Sequence, residues 1–589
     1  MTNSPDNTTV TKIWEIGECP TGLCQTFCSE LNISSRLAMI LINRGIDDLD
    51  KAAEFLDPSL HKLPDPYLMA GIENAVERLT LAFRRKEKII VFGDYDMDGI
   101  SATSILVDYL RRTGFEQVDY FIPSRMTEGY GLNKTAITTA CESGTTLAVT
   151  VDNGIANYLE IEFAATMGLD VIVTDHHQIP DRRPKAVAII NPHLKECEYP
   201  DKNLAGVGVA FNLMMALRKR LRDTGLAADV NLLQYLDLVA MGTVADVMPL
   251  TGVNRILVSF GLREINKTRR PGLQSLLFTA QIKPDDQISA RDLAFKLAPR
   301  VNAAGRIDDA GIAVELFLTR DRAVADRSAR SLDECNERRR QIEKEIKNEV
   351  DEMINKDESL TDAKVILLAS DNWHPGVVGI VSSRVAEAYT KPAILIALED
   401  GIGRGSGRSI PGLNLVQLLD QCKESLIRYG GHEQAIGLTV TEENIPSLRR
   451  QIETCLESSG QADPEPAKIQ LDGVLQPDDI NQKLLDELQV LQPLGYGNPE
   501  PKFLLEATGI DKIVKMGSSD RRHLKFTFTN LNNRKESFIG IYFNFKGTLP
   551  KVGETVDLVF TPEKNTWRGR SEIRANLIDF RDSSADSIE

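Results

Sequence analysis

Val91-Phe92-Gly93-Asp94-Tyr95-Asp96-Met97-Asp98-Gly99-Ile100 places three carboxylates at alternate positions behind the apolar run Ile89-Ile90-Val91-Phe92. That run reads as a buried strand. Three acids crowded at its carboxyl end repel one another, and such a group is held by a cation or kept in water. Taken alone, Asp94 to Gly99 also fits a solvated turn. Two further stretches, Val149-Thr150-Val151-Asp152-Asn153-Gly154 and Val171-Ile172-Val173-Thr174-Asp175-His176-His177, repeat the design of an apolar strand ending in acid or imidazole. Open α/β sheets bind ligands at the carboxyl ends of their strands, so three such ends can converge on one site. Carboxylates with one or two His and no thiolate suit Mn²⁺ or Mg²⁺ better than structural zinc.

Around these stretches, from Lys86 to Leu250, strands alternate with helices. A helix is expected over Ser101–Leu110, and strands over Val118–Ile122, Leu147–Val151, Val171–Val173 and Ala188–Ile190. That alternation predicts βαβ units and a parallel sheet. Asp246, an acid inside the apolar run Met241 to Leu250, is a further candidate ligand, or else an ordinary helix-end acid. Ala298-Pro299-Arg300-Val301-Asn302-Ala303-Ala304-Gly305-Arg306 suits phosphate, because guanidinium forks match phosphate oxygens and small residues let backbone approach. It also fits a helix end with Arg near its last carbonyls. Asp326–Leu360 predicts a long, mostly exposed helix with a solvated Arg338-Arg339-Arg340 run, serving as a strut between two lobes. Beyond it, Gly403-Arg404-Gly405-Ser406-Gly407-Arg408-Ser409 is expected to expose backbone donors beside guanidinium groups.

The chain has 589 residues, 42% hydrophobic and 26% charged, enough for roughly three or four globular domains. No apolar run reaches the ~18 residues that cross a bilayer. The polar start Met1 to Asn7 reads as a short frayed tail without the pattern of a signal peptide. Eight cysteines are too sparse for a disulfide framework and fit a reducing cytoplasm; Cys19, Cys24 and Cys28 match no metal spacing. A formal net charge of −16 means that a polyanionic partner must be held by local basic patches. Thr508–Arg581 is such a region, with 14 Lys and Arg against 8 Asp and Glu. There Leu524, Phe526 and Phe528 alternate with Lys525 and Thr527, and further strands are expected near Phe538, Val556 and Ile573. Short strands with aromatic and basic residues (Arg521, Arg522, Lys525, Arg568, Arg570) suit an OB-fold, whose groove tracks single strands by charge and stacking.

Taken in order, Asp94 to Gly99, Val151 to Gly154, Asp175-His176-His177 and Gly242 to Asp246 resemble the four motifs of the DHH phosphoesterase superfamily. Together with Ala298 to Arg306, Gly430-Gly431-His432 and Leu491 to Pro501, they resemble its RecJ family of single-strand-specific exonucleases. Met97, Glu433, Gln434, Ile436 and Leu494 depart from the family's usual residues. The resemblance implies an α/β fold: a DHH parallel-sheet domain joined by a long helix to a smaller α/β DHHA1 domain, followed by a C-terminal OB-fold barrel. The boundaries expected are an N-terminal segment 1–80, a DHH domain 81–255, a helical connector 256–360, a DHHA1 domain 361–460, a linker Gln461 to Pro466 and an OB domain 467–581.

The resemblance also implies metal-dependent 5′-to-3′ hydrolysis of single-stranded DNA, in repair and recombination. Asp96, Asp98, Asp152, His176 and Asp246 would hold two divalent ions, with Asp94, Asp175 and His177 as catalytic groups beside them. Arg300, Asn302, Arg306, His374, Arg404, Ser406, Arg408 and His432 would grip phosphates. A helicase and a single-strand-binding protein are the partners that the family leads one to expect; no membrane association is expected. Two alternatives stay open: a phosphodiesterase of short oligonucleotides or cyclic dinucleotides, and an inactive DNA-binding scaffold.

Overall fold

In the computed structural model the apolar run becomes β1 (Lys88–Gly93), flanked by β2 (Val118–Phe121) and β3 (Thr145–Val151). Next in the sheet come β4 (Asp170–Thr174) and β5 (Ala188–Ile190). All pairings are parallel and the order is β2-β1-β3-β4-β5. The chain leaves β1 to one side and returns on the other, so a crevice opens outside the carboxyl ends of β1 and β3, where doubly wound sheets bind ligands. The structure describes residues 12–18, 20–125, 128, 131–227, 229–458, 468–516, 523–530, 537–545, 547–567 and 570–583. The expected tail Met1 to Asn7, Cys19, the linker Gln461 to Pro466, Arg521, Arg522 and Arg568 lie outside the described residues, as does the side chain of Arg570.

Residues 64–248 and 260–464 form one compact unit; residues 1–63, 249–259 and 465–589 form a second. In the first, β1 leads into α1 (Met97–Thr113), whose Ser101, Thr103 and Ser104 are as fully buried as its Ile and Leu. The hydroxyls of Thr103 and Ser104 would be costly there but for local hydrogen bonds, donated to the carbonyls of Gly99 and Ile100. Against α1 pack α2 (Gly206–Asp223) and α3 (Leu236–Ala245). Then come α4 (Ala298–Ile307) and the 35-residue α5 (Arg322–Lys356), about 50 Å long.

The long helix is less exposed than expected. Asn336, Arg339 and Glu343 are buried, not solvated. Arg339 donates to Glu343 (2.6 Å) and Asn336 (2.7 Å), and the exposed Arg384 also pairs with Glu343, so the buried charges are compensated.

The smaller α/β part has β6 (Ile366–Ser370), α6 (Val378–Tyr389), β7 (Ala393–Glu399), β8 (Ile402–Arg408), β9 (Arg428–His432) and β10 (Ala435–Thr441). Their order is β9-β10-β8-β7-β6. The glycine-rich stretch is β8, a central strand paired along its length with β7 and β10. Its backbone donors are therefore spent on the sheet, which corrects the expectation that the glycines expose them. Gly403, Gly405 and Gly407 instead make room for Ile396, Leu438 and Ile436 on one face. Arg404, Ser406 and Arg408 then share the opposite face by the two-residue period of a strand.

In the second unit β11 (Phe503–Met516), β12 (His523–Asn530), β13 (Ser537–Tyr542), β14 (Thr555–Trp567) and β15 (Arg570–Asp582) close into a barrel of order β11-β12-β13-β15-β14. Leu524, Phe526 and Phe528 are 2%, 1% and 1% exposed. They fill the barrel with Phe503 and Phe560, together with Phe27 and Leu41 from the N-terminal helices, and are core residues unable to stack on bases. Residues of the expected 1–80 segment thus divide between the units at residue 63. The unit is clasped by Arg255, 2% exposed, which donates to the carbonyls of Phe55 (2.8 Å), Leu491 (3.0 Å) and Val490 (3.0 Å). Among the described residues no helix is long and apolar enough to cross a membrane.

Candidate metal centre

Asp96 caps α1, its carboxylate accepting from the amides of Asp98 (2.9 Å) and Gly99 (3.1 Å). Asp98, in the first turn, accepts from Gly206 (2.6 Å) and Val207 (3.0 Å) at the start of α2, where free amides and the helix dipole favour an anion. Asp152 follows β3 in left-handed backbone, φ 62°. Beside it the Asn153 amide donates to the carbonyls of Phe92 (3.2 Å) and Val151 (2.9 Å), tying the ends of β1 and β3 together. Asp175 ends β4 and accepts from the amides of Ile155, His176 and His177, and its carboxylate lies 2.7 Å from His177 Nδ1. Asp246 caps the C-terminal end of α3, its own amide donating to the Gly242 carbonyl.

These elements converge. His176 Nε2 stands 3.1 Å from Asp152, 3.5 Å from Asp246 and 4.0 Å from Asp98. Three groups bring ligand atoms within 4.8 Å of one another: Asp94, Asp96 and Asp152; Asp98, His176 and Asp246; and Asp152, His176 and His177. Helices approach the acids closely because glycine faces them: a Cβ on Gly206 would lie 2.6 Å from Asp152 Oδ1, and one on Gly242 2.7 Å from Asp98 Oδ1.

Electrostatics show what such a cluster lacks. Burial, then neighbouring carboxylates, push Asp94 and Asp152 well above the usual range, Asp246 up to about 9 and Asp98 up to about 7. Burial and the adjacent His177 lower His176 to about 4, so its ring is neutral. For His177 burial opposes charge, but the hydrogen bond to Asp175 prevails and raises it to about 9. Asp94 Oδ1, His176 Nε2 and Asp246 Oδ2 are buried without a hydrogen-bond partner among the described residues. Buried, mutually repelling carboxylates with a neutral imidazole and no thiolate fit two hard divalent ions such as Mn²⁺ or Mg²⁺.

All five expected ligands, Asp96, Asp98, Asp152, His176 and Asp246, meet here. Asp94 and His177, expected beside the ions, bring their own atoms into the same groups, whereas Asp175 is spent on holding His177 and its loop.

The expected phosphate contacts divide. Asn302 Oδ1 accepts from the Met97 amide (2.7 Å), bracing the loop that carries Asp96 and Asp98. Arg306 is half-buried and donates to the Gly376 carbonyl (3.2 Å); burial, then Arg125 and Arg339, lower it to about 10. Arg408 donates to Ser406 Oγ (3.2 Å), and burial and Arg125 lower it too. His374 Nδ1 accepts from the Gly376 amide (3.1 Å). His432 is exposed, and Arg404 stands at the far end of the β8 row, lining a cavity of about 530 Å³ with His374 and Trp373. Arg300 is placed differently: Asp333 (2.8 Å) and the Lys296 carbonyl hold its guanidinium on the connector.

Arg125 escaped the sequence reading. It follows β2, is felt electrostatically by Asp94, Arg306 and Arg408, and lies 5.2 Å above the Tyr95 ring. Its only signal in the sequence is position, just past a strand whose neighbours end in acids. Among the described residues no carboxylate lies within ion-pair distance of Arg125, Arg306 or Arg408. Three uncompensated guanidinium groups beside an acid cluster suit a phosphate between them.

Comparison with known proteins agrees with this arrangement. Residues 88–243 match the DHH family N-terminal domain, residues 362–458 the DHHA1 domain and residues 471–579 the RecJ OB domain. The chain is 37% identical over 559 residues to the single-stranded-DNA-specific exonuclease RecJ of Dickeya dadantii, covering 92% of this chain and 95% of that one. It is 34% identical over 566 residues to the RecJ of Bacillus subtilis, covering 95% and 69%. The crystal structure of Thermus thermophilus RecJ in complex with Mn²⁺ superposes with a TM-score of 0.82 at 31% identity, covering 98% of this chain and 80% of that one. A DHH sheet with acids at its strand ends, a DHHA1 domain and an OB barrel occur here in one chain, which belongs to the RecJ family.

Proposed function

We propose that the protein is an exonuclease that hydrolyses phosphodiester bonds of single-stranded DNA from the 5′ end with two bound Mn²⁺ or Mg²⁺ ions. The observation that carries this reading is the meeting of orphaned buried acids and His176 with the uncompensated guanidinium groups of Arg125, Arg306 and Arg408. Asp94, Asp96, Asp98, Asp152, His176 and Asp246 hold the ions. Bound there, such ions would supply an activated water and positive charge against the phosphate and leaving oxygen.

The chain's own groups do the rest. Arg125, Arg306 and Arg408, with Ser406, grip the strand's terminal phosphate and so fix which bond reaches the acids, a positioning effect that lowers the barrier by orientation. His374, Arg404 and His432 extend this grip. Asn302 and Asp98 lock the loop to α4 and α2. His177, 48% exposed beside the acids, is the group placed to pass a proton to the leaving oxygen, with Asp175 holding its ring. Work in repair and recombination in the cytoplasm, beside a helicase and a single-strand-binding protein, completes the proposal.

Titrating Mn²⁺ and Mg²⁺ into hydrolysis of end-labelled single-stranded DNA, duplex and RNA tests it. Metal-dependent release of 5′-label from single-stranded DNA alone is expected. Release from the 3′ end first, or preferential hydrolysis of a cyclic dinucleotide, would overturn it.

A further inference from the structure

Tyr95 stands between two metal-binding acids in the chain. Its ring lies under the Arg125 guanidinium, 5.2 Å from centroid to carbon, and both Arg125 and Arg306 act on it electrostatically. On its backbone side α4 presses close: a Cβ on Gly305 would stand 2.7 Å from the Tyr95 carbonyl oxygen and 3.2 Å from its Cβ. The next residue along α4 is Arg306. One side chain therefore stands close to two like charges that repel each other and have no carboxylate within ion-pair distance among the described residues. An arginine on a loop, exposed and without an ion-pair partner, needs some other contact to stay in one place, and an aromatic face provides it without neutralising the charge.

We propose that Tyr95 is a positioning residue: its ring carries the Arg125 guanidinium and sets it where the strand's terminal phosphate is gripped. The inference rests on the reading of Arg125, Arg306 and Arg408 as that grip. It makes the tripeptide Asp94-Tyr95-Asp96 a physical link between the metal loop and end recognition.

The test compares Mn²⁺-loaded wild type, Tyr95→Phe, Tyr95→Leu, Arg125→Gln and the double variant Tyr95→Leu/Arg125→Gln on one strand carrying either a 5′-phosphate or a 5′-hydroxyl. KM and kcat are measured for each, and Mn²⁺ affinity is measured by calorimetry. Tyr95→Phe should keep the preference for the phosphorylated end. Tyr95→Leu should lose about 5- to 10-fold of it, as KM for the phosphorylated strand, with kcat and Mn²⁺ affinity held. The double variant should be no worse than Arg125→Gln alone, because the ring acts through the arginine. Unchanged end preference in Tyr95→Leu, losses that add in the double variant, or a fall in Mn²⁺ affinity would each overturn the proposal, the last by reducing Tyr95 to a support of the acid loop. If wild type and Arg125→Gln both ignore the end group, it is the phosphate grip itself that fails.

Discussion

Asp246→Asn should make the metal-free protein more stable while abolishing hydrolysis. Asp246 is 26% exposed at its side chain, its Oδ2 has no hydrogen-bond partner among the described residues, and burial with the charges of Asp98 and Asp96 lifts it from 3.8 to about 9. A folded-state value above the unfolded one means that the stabilising contribution is full below about pH 4 and is lost as pH rises through about 9. At roughly 1.4 kcal/mol per tenfold change in proton affinity, holding this group folded at pH 8 costs at most about 6 kcal/mol. Water reaching the carboxyl and local relaxation reduce that to about 2–3 kcal/mol. Asparagine keeps the shape and carries no such cost, so Tm in EDTA at pH 8 should rise by about 3 °C for a unit of this size. The gap should shrink towards pH 5, and added Mn²⁺ should reverse it by stabilising the wild type alone. Differential scanning calorimetry at the two pH values, with and without Mn²⁺, reads all four quantities. A variant that melts below wild type in EDTA at pH 8, or a gap of equal size at pH 5, would refute the reasoning.

The Mn²⁺-induced rise in Tm of the wild type should grow between pH 6 and pH 9, because Asp98 at about 7 and Asp246 at about 9 must release protons to bind metal. Gly206→Ala should cut Mn²⁺ affinity more than about tenfold by calorimetry, since its Cβ would sit 2.6 Å from Asp152 in a packed site that stores strain. Arg255→Leu should cost about 3–5 kcal/mol in urea denaturation of the second unit, leaving three carbonyls without their buried donor, while Mn²⁺ binding persists.

The residues that were legible in the sequence share a cause. Asp94, Asp152 and Asp175 each end an apolar run, and a parallel sheet carries all such ends to one edge, so local pattern and topology together are enough. Asp246 was visible because a carboxylate inside the apolar run Met241 to Leu250 needs a reason. Arg125 was not, since its partners Arg306 and Arg408 come from segments about 180 and 280 residues away and no local pattern encodes that meeting. The β8 glycines misled for a related reason: alternate glycines look alike in a loop and in a central strand, and only the pairing of β8 with β7 and β10 decides. Buried Arg339 and Glu343 were hidden because their i, i+4 spacing is also that of a solvated surface pair.

The chain threads its two units more than once. Residues 249–259, between the DHH sheet and the connector, leave the nuclease unit to join the barrel unit and then return. Arg255 within them is anchored by carbonyls from both an early helix and the segment before β11. The two units are consequently not beads that recombination can swap by a single crossover. A minimal nuclease cannot be obtained by trimming the termini alone: the excursion would remain as an eleven-residue stub with an orphaned cation, and would have to be redesigned as a loop.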